Sequence, residues 1–327
     1  MMNLQTIEEA RERIAPHIRN TPLVISPTLS TLVGAEVGLK LEHRQLTGSF
    51  KFRGATNAVR QLSQAERDRG VIAASTGNHG RALSYAAQAL GARATICMSR
   101  LVPENKVSEI RRLGACVRII GLSQDDAQEE VDRLVAKEGL SMIPPFDHPW
   151  TIAGQGTLGL EIVEAMPDVA AVLVPLSGGG LAAGVAAAVK ALRPKTKVIG
   201  ISMERGAAMK ASIDAGKPVQ VVEHRSFADL LGGGIGLANA WSFPMCRALL
   251  DDIVLVSERE IAAGICHAYE HERELIEGAA AVGIAALLSG KLTHLNGPIV
   301  AILSGSNIDM ALHRNVVNGL NAIDEER

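Results

Sequence analysis

Short apolar runs alternate along the chain with longer stretches whose apolar positions recur every three or four residues, the periodicities of strands and amphipathic helices. An opening helix is predicted from the capping-box spacing Thr6-Ile7-Glu8-Glu9, ending near His17 to Asn20 ahead of Pro22. A strand at 37–41 leads to a Thr-Gly-Ser turn, followed by helix 54–62, strand 71–74, helix 81–90, strand 94–98, helix 105–113 and strand 116–120. Ser123, with Asp126 three residues on, opens a helix to about Glu138, and Pro144-Pro145 and Pro149 then mark a loop and a domain boundary. Beyond it come helix 156–166, strand 171–174, a glycine turn, helix 181–192, strand 197–201 and helix 207–215. The last stretch holds strand 253–256, a helix opened by the box Ser257 to Glu260, an alanine-rich helix 279–288 and strand 298–303. Short strands separated by helices imply right-handed crossovers, so the expected fold class is α/β with parallel-rich twisted sheets and flanking helices. No repeat unit is visible.

The length of 327 residues suggests about two domains with ample chain for a core. A net charge of -2, with no basic excess, points to a small-molecule partner and away from nucleic acid. Cys97, Cys116, Cys246 and Cys266 show no close pairing, so free, mostly buried thiols in a reducing cytosol are expected. Glu8, Glu9 and Arg11 stand where a signal peptide would be apolar, which predicts a cytoplasmic location. The uncharged run from Val169 to Val189 contains Pro175, Ser177 and several glycines, the wording of strand, turn and helix inside a domain and not of a membrane span.

Candidate chemistry centres on Lys51, placed after the turn Thr47-Gly48-Ser49 and flanked by Phe50 and Phe52, two of only five phenylalanines. An apolar setting disfavours the ammonium and frees a nucleophile suited to a Schiff base; the alternative is a solvated lysine after a turn. Ser75-Thr76-Gly77-Asn78-His79-Gly80 joins a predicted strand to a helix, where backbone amides can hold an anion such as a carboxylate, or simply make a turn. Ser177-Gly178-Gly179-Gly180-Leu181 has the same placement and lets a phosphate approach the backbone. It lacks the Gly-Lys-Ser/Thr ending of a P-loop. A dinucleotide site remains open, because Gly178, Gly180 and Gly184 are followed by Glu204 at roughly the expected distance. Ser304 ends the last strand within Leu303-Ser304-Gly305-Ser306-Asn307, and Glu277 precedes the alanine-rich helix. His267, Glu270 and His271 fit an H-x-x-E-H zinc spacing, but the neighbouring Glu272, Arg273 and Glu274 read as a solvated helix face.

The run Gly48-Ser49-Phe50-Lys51-Phe52-Arg53-Gly54-Ala55 resembles the cofactor-lysine motif of tryptophan-synthase-β-type (fold type II) pyridoxal-phosphate enzymes, within them the serine/threonine dehydratase and serine racemase group. The resemblance extends through separated motifs from about Thr21 to Asp309. It implies a two-domain fold, residues 1–44 and 146–327 forming the larger domain, residues 45–145 an inserted smaller one, and pyridoxal 5'-phosphate in the cleft between them. By the same resemblance Lys51 carries the cofactor and acts as base, while Asn78, Ser177, Gly178, Gly179, Gly180, Leu181, Glu277 and Ser304 contact the cofactor. Ser75, Thr76, Gly77, Asn78 and His79 hold the substrate carboxylate. Thr76 occupies the place where serine racemases carry a second acid/base serine. Ser202 stands where many members place a cation-binding carboxylate, so no metal is expected. The resemblance further implies a cytoplasmic homodimer that removes water from a hydroxylated amino-acid-like compound. The stretches 202–209, 228–237 and 277–279 are most similar to dehydratases of hydroxyectoine utilisation. Threonine/serine dehydratase or serine racemase activity is the alternative within the family, a nicotinamide-dependent oxidoreductase the alternative outside it.

Overall fold

The computed structural model describes residues 2–75, 77–102 and 104–323. Its strands are β1 (Leu23–Ile25), β2 (Val37–Lys40), β3 (Val71–Ala74), β4 (Ala94–Met98), β5 (Cys116–Ile119), β6 (Ser141–Met142), β7 (Ala171–Pro175), β8 (Lys197–Met203), β9 (Asp252–Val256) and β10 (Ile299–Ile302). They form two sheets, one in the order β1-β2-β10-β7-β8-β9, the other in the order β5-β4-β3-β6. All neighbours pair in parallel except β1, which runs antiparallel to β2. In β7 and β10 every residue is buried, as expected of short apolar runs in a parallel sheet covered by helices on both faces.

Where sequence and structure differ, packing explains the difference. The first helix spans Leu4–Ile14 and is capped by Asn3, whose Oδ1 accepts from the Thr6 amide at 2.9 Å; Thr6 itself lies inside the helix. The helix expected from 156 runs Pro149–Ala165, with Pro149 in its first turn and His148 as its cap. The sequence reading begins this helix only at Gly156, yet Gly154, already inside it, is where it crosses the helix Lys51–Gln61. A Cβ on Gly154 would lie 2.7 Å from the Gly54 Cα, so the small residues permit close backbone approach. Strands β1 and β6 and the short helices Pro27–Val33, Gln64–Arg69, Ser242–Leu249 and Met310–Val317 are too brief to show a period. Cys97 and Cys246 are buried free thiols, but Cys116 is exposed because β5 is an edge strand. Among the described residues no helix is long and apolar enough to cross a membrane.

A buried ion network joins the elements behind the lysine. Arg53 makes a two-pronged contact with Glu42, at 2.8 and 2.7 Å, and a second with Glu161, at 2.6 and 2.8 Å. Lys40 at the end of β2 adds a 2.5 Å contact to Glu161 and another of 2.5 Å to the Thr21 carbonyl. The two cations offset the two carboxylates, and each partner is hydrogen-bonded, the condition for burying charge at tolerable cost. Arg53→Ala would leave two buried carboxylates facing one lysine, so it is expected to destabilise the protein by about 3–5 kcal/mol. Denaturant unfolding checks this, and a loss within about 0.5 kcal/mol, the range of surface substitutions, would contradict the clamp.

Candidate active site

Strands β3, β7 and β10 end in the three loops that enclose a cleft of about 260 Å³, at the carboxyl edge where open α/β sheets bind ligands. Lys51 stands in its lining at the first position of its helix, three residues earlier than the helix start expected from sequence. Its Nζ donates to the Pro145 carbonyl at 2.7 Å and lies 5.3 Å from the Phe50 ring centroid. Desolvation lowers its pKa to about 8. The lysine loop is stitched to the loop after β10: the Phe50 amide donates to the Ser304 carbonyl at 3.0 Å, and the Ser306 amide to the Gly48 carbonyl at 2.9 Å. These bonds bring Ser304 into the cleft beside Lys51.

The loop Ser177–Leu181 passes from β7 into the helix Gly180–Leu192. Gly179 sits there at φ +87°, a left-handed conformation that a side chain would strain, and a Cβ would also press on Met209 and Cys246. Among the described residues no side chain caps this helix, and Gly179, Gly180 and Leu181 at its start line the cleft, where free amides suit an anion. The loop is braced from behind by Ser242, which donates to the Gly178 carbonyl at 2.6 Å. Asp147 in turn accepts three amides, from Ala240, Trp241 and Ser242, each at 2.8 Å. A desolvated amine facing an uncapped glycine-rich helix start fits pyridoxal phosphate, whose aldehyde bonds an amine and whose phosphate needs amide donors.

Of the substrate-loop candidates, Ser75, Gly77, Asn78 and His79 all line the cleft; Thr76 lies outside the described residues. At the start of the helix Asn78–Ala89 the Gly80 amide donates to Ser75 Oγ at 3.0 Å, while Gly77 at the cap position has no side chain to offer. Asn78 Nδ2 donates to Glu277 Oε1 at 2.7 Å, Asn307 Nδ2 donates to Asn78 Oδ1 at 2.6 Å, and the Asn307 amide donates to Glu277 Oε2 at 2.8 Å. Burial raises the Glu277 carboxyl to about 7 despite these donors. His79 bonds the Ile143 carbonyl at 2.7 Å, and desolvation, reinforced by Lys51, lowers it to about 3, so its ring is neutral. Sequence reasoning missed Phe146, Asp229, Leu230 and Leu231 as lining residues. A phenylalanine in the proline-rich loop was the available signal for the first. The others lie on a single turn, Asp229–Leu231, which has no period to read.

The competing motifs fall elsewhere. Glu204 pairs with Lys291 at 3.5 Å and does not line the cleft, which removes the acidic partner of a dinucleotide site. His267 is half-buried and bonded to Glu272 at 3.0 Å, a correction to the wholly solvated face, while Glu270 and His271 are exposed. Among the described residues no three His, Cys, Asp or Glu groups gather as a metal would require.

A family described as "Pyridoxal-phosphate dependent enzyme" matches residues 14–305. A putative threonine dehydratase of Sinorhizobium fredii is 73% identical over 325 residues, covering 99% of this chain and 98% of that one. An L-threonine ammonia-lyase of Thermotoga maritima is 41% identical, covering 97% of this chain and 79% of the relative. Among solved structures, maize serine racemase superposes with a TM-score of 0.91 at 31% identity, covering 97% of each chain. The processed form of threonine deaminase isoform 2 from Solanum lycopersicum gives 0.91 at 37% identity, covering 96% of this chain and 87% of that one.

Two outcomes follow from the site. Gly179→Asp puts a side chain on a left-handed residue and a negative charge at the anion cradle, so cofactor titration should show affinity reduced by about a hundredfold; an unchanged titration would remove this loop from the site. Glu277 binds its proton more tightly folded than unfolded, so it contributes stability that is full below about pH 4.5 and lost as pH rises through about 7. Glu277→Gln should abolish that slope in pH-dependent unfolding, and an unaltered slope would place the titration on another group.

Proposed function

We propose that this chain, which belongs to the family of pyridoxal-phosphate dependent enzymes, is a lyase of the threonine dehydratase type that removes water from a β-hydroxy amino acid or related hydroxylated compound. The observation that carries this reading is the geometry of Lys51: a half-buried amine, held by a carbonyl and not by a carboxylate, in one cleft with an uncapped glycine-rich helix start. Its relatives named as threonine dehydratase and L-threonine ammonia-lyase support the same reaction type.

When bound, pyridoxal phosphate supplies the electron sink that makes the substrate's α-hydrogen acidic. Lys51 would hold it covalently until the substrate's amine takes the place of Nζ, the amides of Gly178 to Leu181 with Ser177 would bind its phosphate, and Asn78, Glu277 and Ser304 would surround its ring. Ser75, Gly77, Asn78 and His79, with Thr76, would orient the substrate carboxylate at a helix start. With its pKa near 8, Lys51 Nζ is a base matched to neutral pH and accepts the α-proton. Loss of the β-hydroxyl, as water with the proton that Lys51 took up, would give an enamine that is released as Lys51 takes the cofactor back and that hydrolyses to a keto acid and ammonia. Ser304 would offer the ring a neutral hydroxyl and not a carboxylate, a setting that favours prompt elimination over prolonged carbanion chemistry. Thr76 has the hydroxyl of a second acid/base, but β-branching limits its rotamers, so proton return on the opposite face is the slower path.

The finer reading is a substrate of hydroxyectoine utilisation, supported by the wording of residues 202–209, 228–237 and 277–279. The same reading takes residues 45–145, which contain all of β3 to β6, as the smaller domain, and the remainder as the larger one. It places the protein in the cytoplasm as a homodimer. Assays with serine, threonine, 3-hydroxyaspartate and hydroxyectoine-derived compounds should give keto acid or imine faster than antipode, and Lys51→Ala should lose at least about 10³-fold in rate. Faster formation of the antipode on the best substrate would make the protein a racemase.

A further inference from the structure

The cleft continues beyond the reacting centre into an outer recess of about 60 Å³ lined in part by Arg81, Lys106 and Asp309. Gly77, Asn78, Asp229 and Leu230 line both spaces, and Leu230 is the one large apolar side chain among them. It lies directly over Gly77: a Cβ built on that glycine would come within 2.9 Å of Leu230 Cδ2. Gly77 has φ -118° and ψ -144°, outside the regular helical and extended regions, and any side chain there would also meet Leu230. Leu230 is also fixed from behind. Its neighbour Leu231 is buried in the core with Phe227 and Ala228, and the Leu231 amide donates to the Ala228 carbonyl at 2.8 Å.

We propose that Leu230 is the specificity-determining side chain of the cleft, an apolar wall between the reacting centre and the recess of Arg81 and Lys106. This rests on the dehydratase reading and names its substrate class: hydroxylated amino-acid-like compounds that carry no anionic group where the side chain beyond the β-carbon meets the wall. An anionic group at that point would lose water against a leucine, with the Asp229 carboxylate and, among the described residues, no cation lining the cleft beside it. The cations beyond are engaged, Lys106 facing Asp229 at 3.9 Å and Arg81 bonded to Asn307 and Glu109 at 3.1 and 3.3 Å. Shortening Leu230 joins the two spaces and lets an anionic side chain reach Arg81 and Lys106.

The test is calorimetric binding of L-2-aminobutyrate, L-alanine and L-aspartate, which lack the β-hydroxyl, to the holoenzyme and its variants. Leu230→Ala should reduce the preference for 2-aminobutyrate over aspartate by about tenfold or more, while Leu230→Met, of similar volume, should keep it. An unchanged preference in Leu230→Ala would overturn the proposal. Leu230→Phe overfills the wall and provides a second test should the alanine variant not fold: it should weaken 2-aminobutyrate, which has a γ-carbon, about tenfold more than alanine. Equal effects on the two ligands would likewise overturn it. Failure of the dehydratase reading is separately visible, as wild-type holoenzyme that releases no keto acid from any hydroxylated substrate.

Discussion

Arg53 lies between two carboxylates that reach it from opposite sides, and this clamp fixes the start of the helix on which Lys51 stands. Glu42 follows β2, at the centre of the larger sheet's β1-β2-β10 side, and Glu161 comes from the helix that crosses the lysine helix at Gly54 and Gly154. The guanidinium suits this place because its planar fork meets both carboxylates in pairs, which an ammonium could not do. Fully buried, these bonds are short of competing water, and the contacts hold the first helical turn, with Lys51 two residues away, against both neighbouring elements.

With the backbone held, the electrostatics of the cleft follow from burial. Desolvation acts on the cleft's titratable groups in the direction that discharges them: it lowers Lys51 and His79 and raises Glu277. Among the described residues Lys51 has no carboxylate contact that would restore its charge, in contrast to Lys40, whose ammonium touches Glu161. Two lysines eleven residues apart thus differ in role because their partners differ: one is a structural cation, the other an amine available for bond formation. The cleft's positive character comes instead from amides at two helix starts, which do not titrate and suit a phosphate and a carboxylate at once.

Strands such as 71–74 and 94–98 were legible because a largely buried parallel strand is a mostly apolar run between polar turns, and both occur with those bounds. The boxes at Ser123 and Ser257 were legible because capping is local chemistry. What could not be read was long-range. Asp147 caps the helix Ser242–Leu249 from about a hundred residues away, and the glycines of the helix Pro149–Ala165 look like breakers until their packing partners are known. At the site, Lys51, Gly179 and Ser304 announced themselves by turn chemistry and family wording. Leu230 did not, because its role depends on standing over Gly77, a residue far away in sequence.

The central claim is that Lys51, and no other amine, carries the cofactor. Borohydride reduction of the holoenzyme followed by proteolysis and mass mapping tests it directly. The account predicts one pyridoxyl-phosphate label, on the peptide containing Lys51. A label on Lys40, Lys106 or any other lysine, or noncovalent cofactor released in full after reduction, would contradict it.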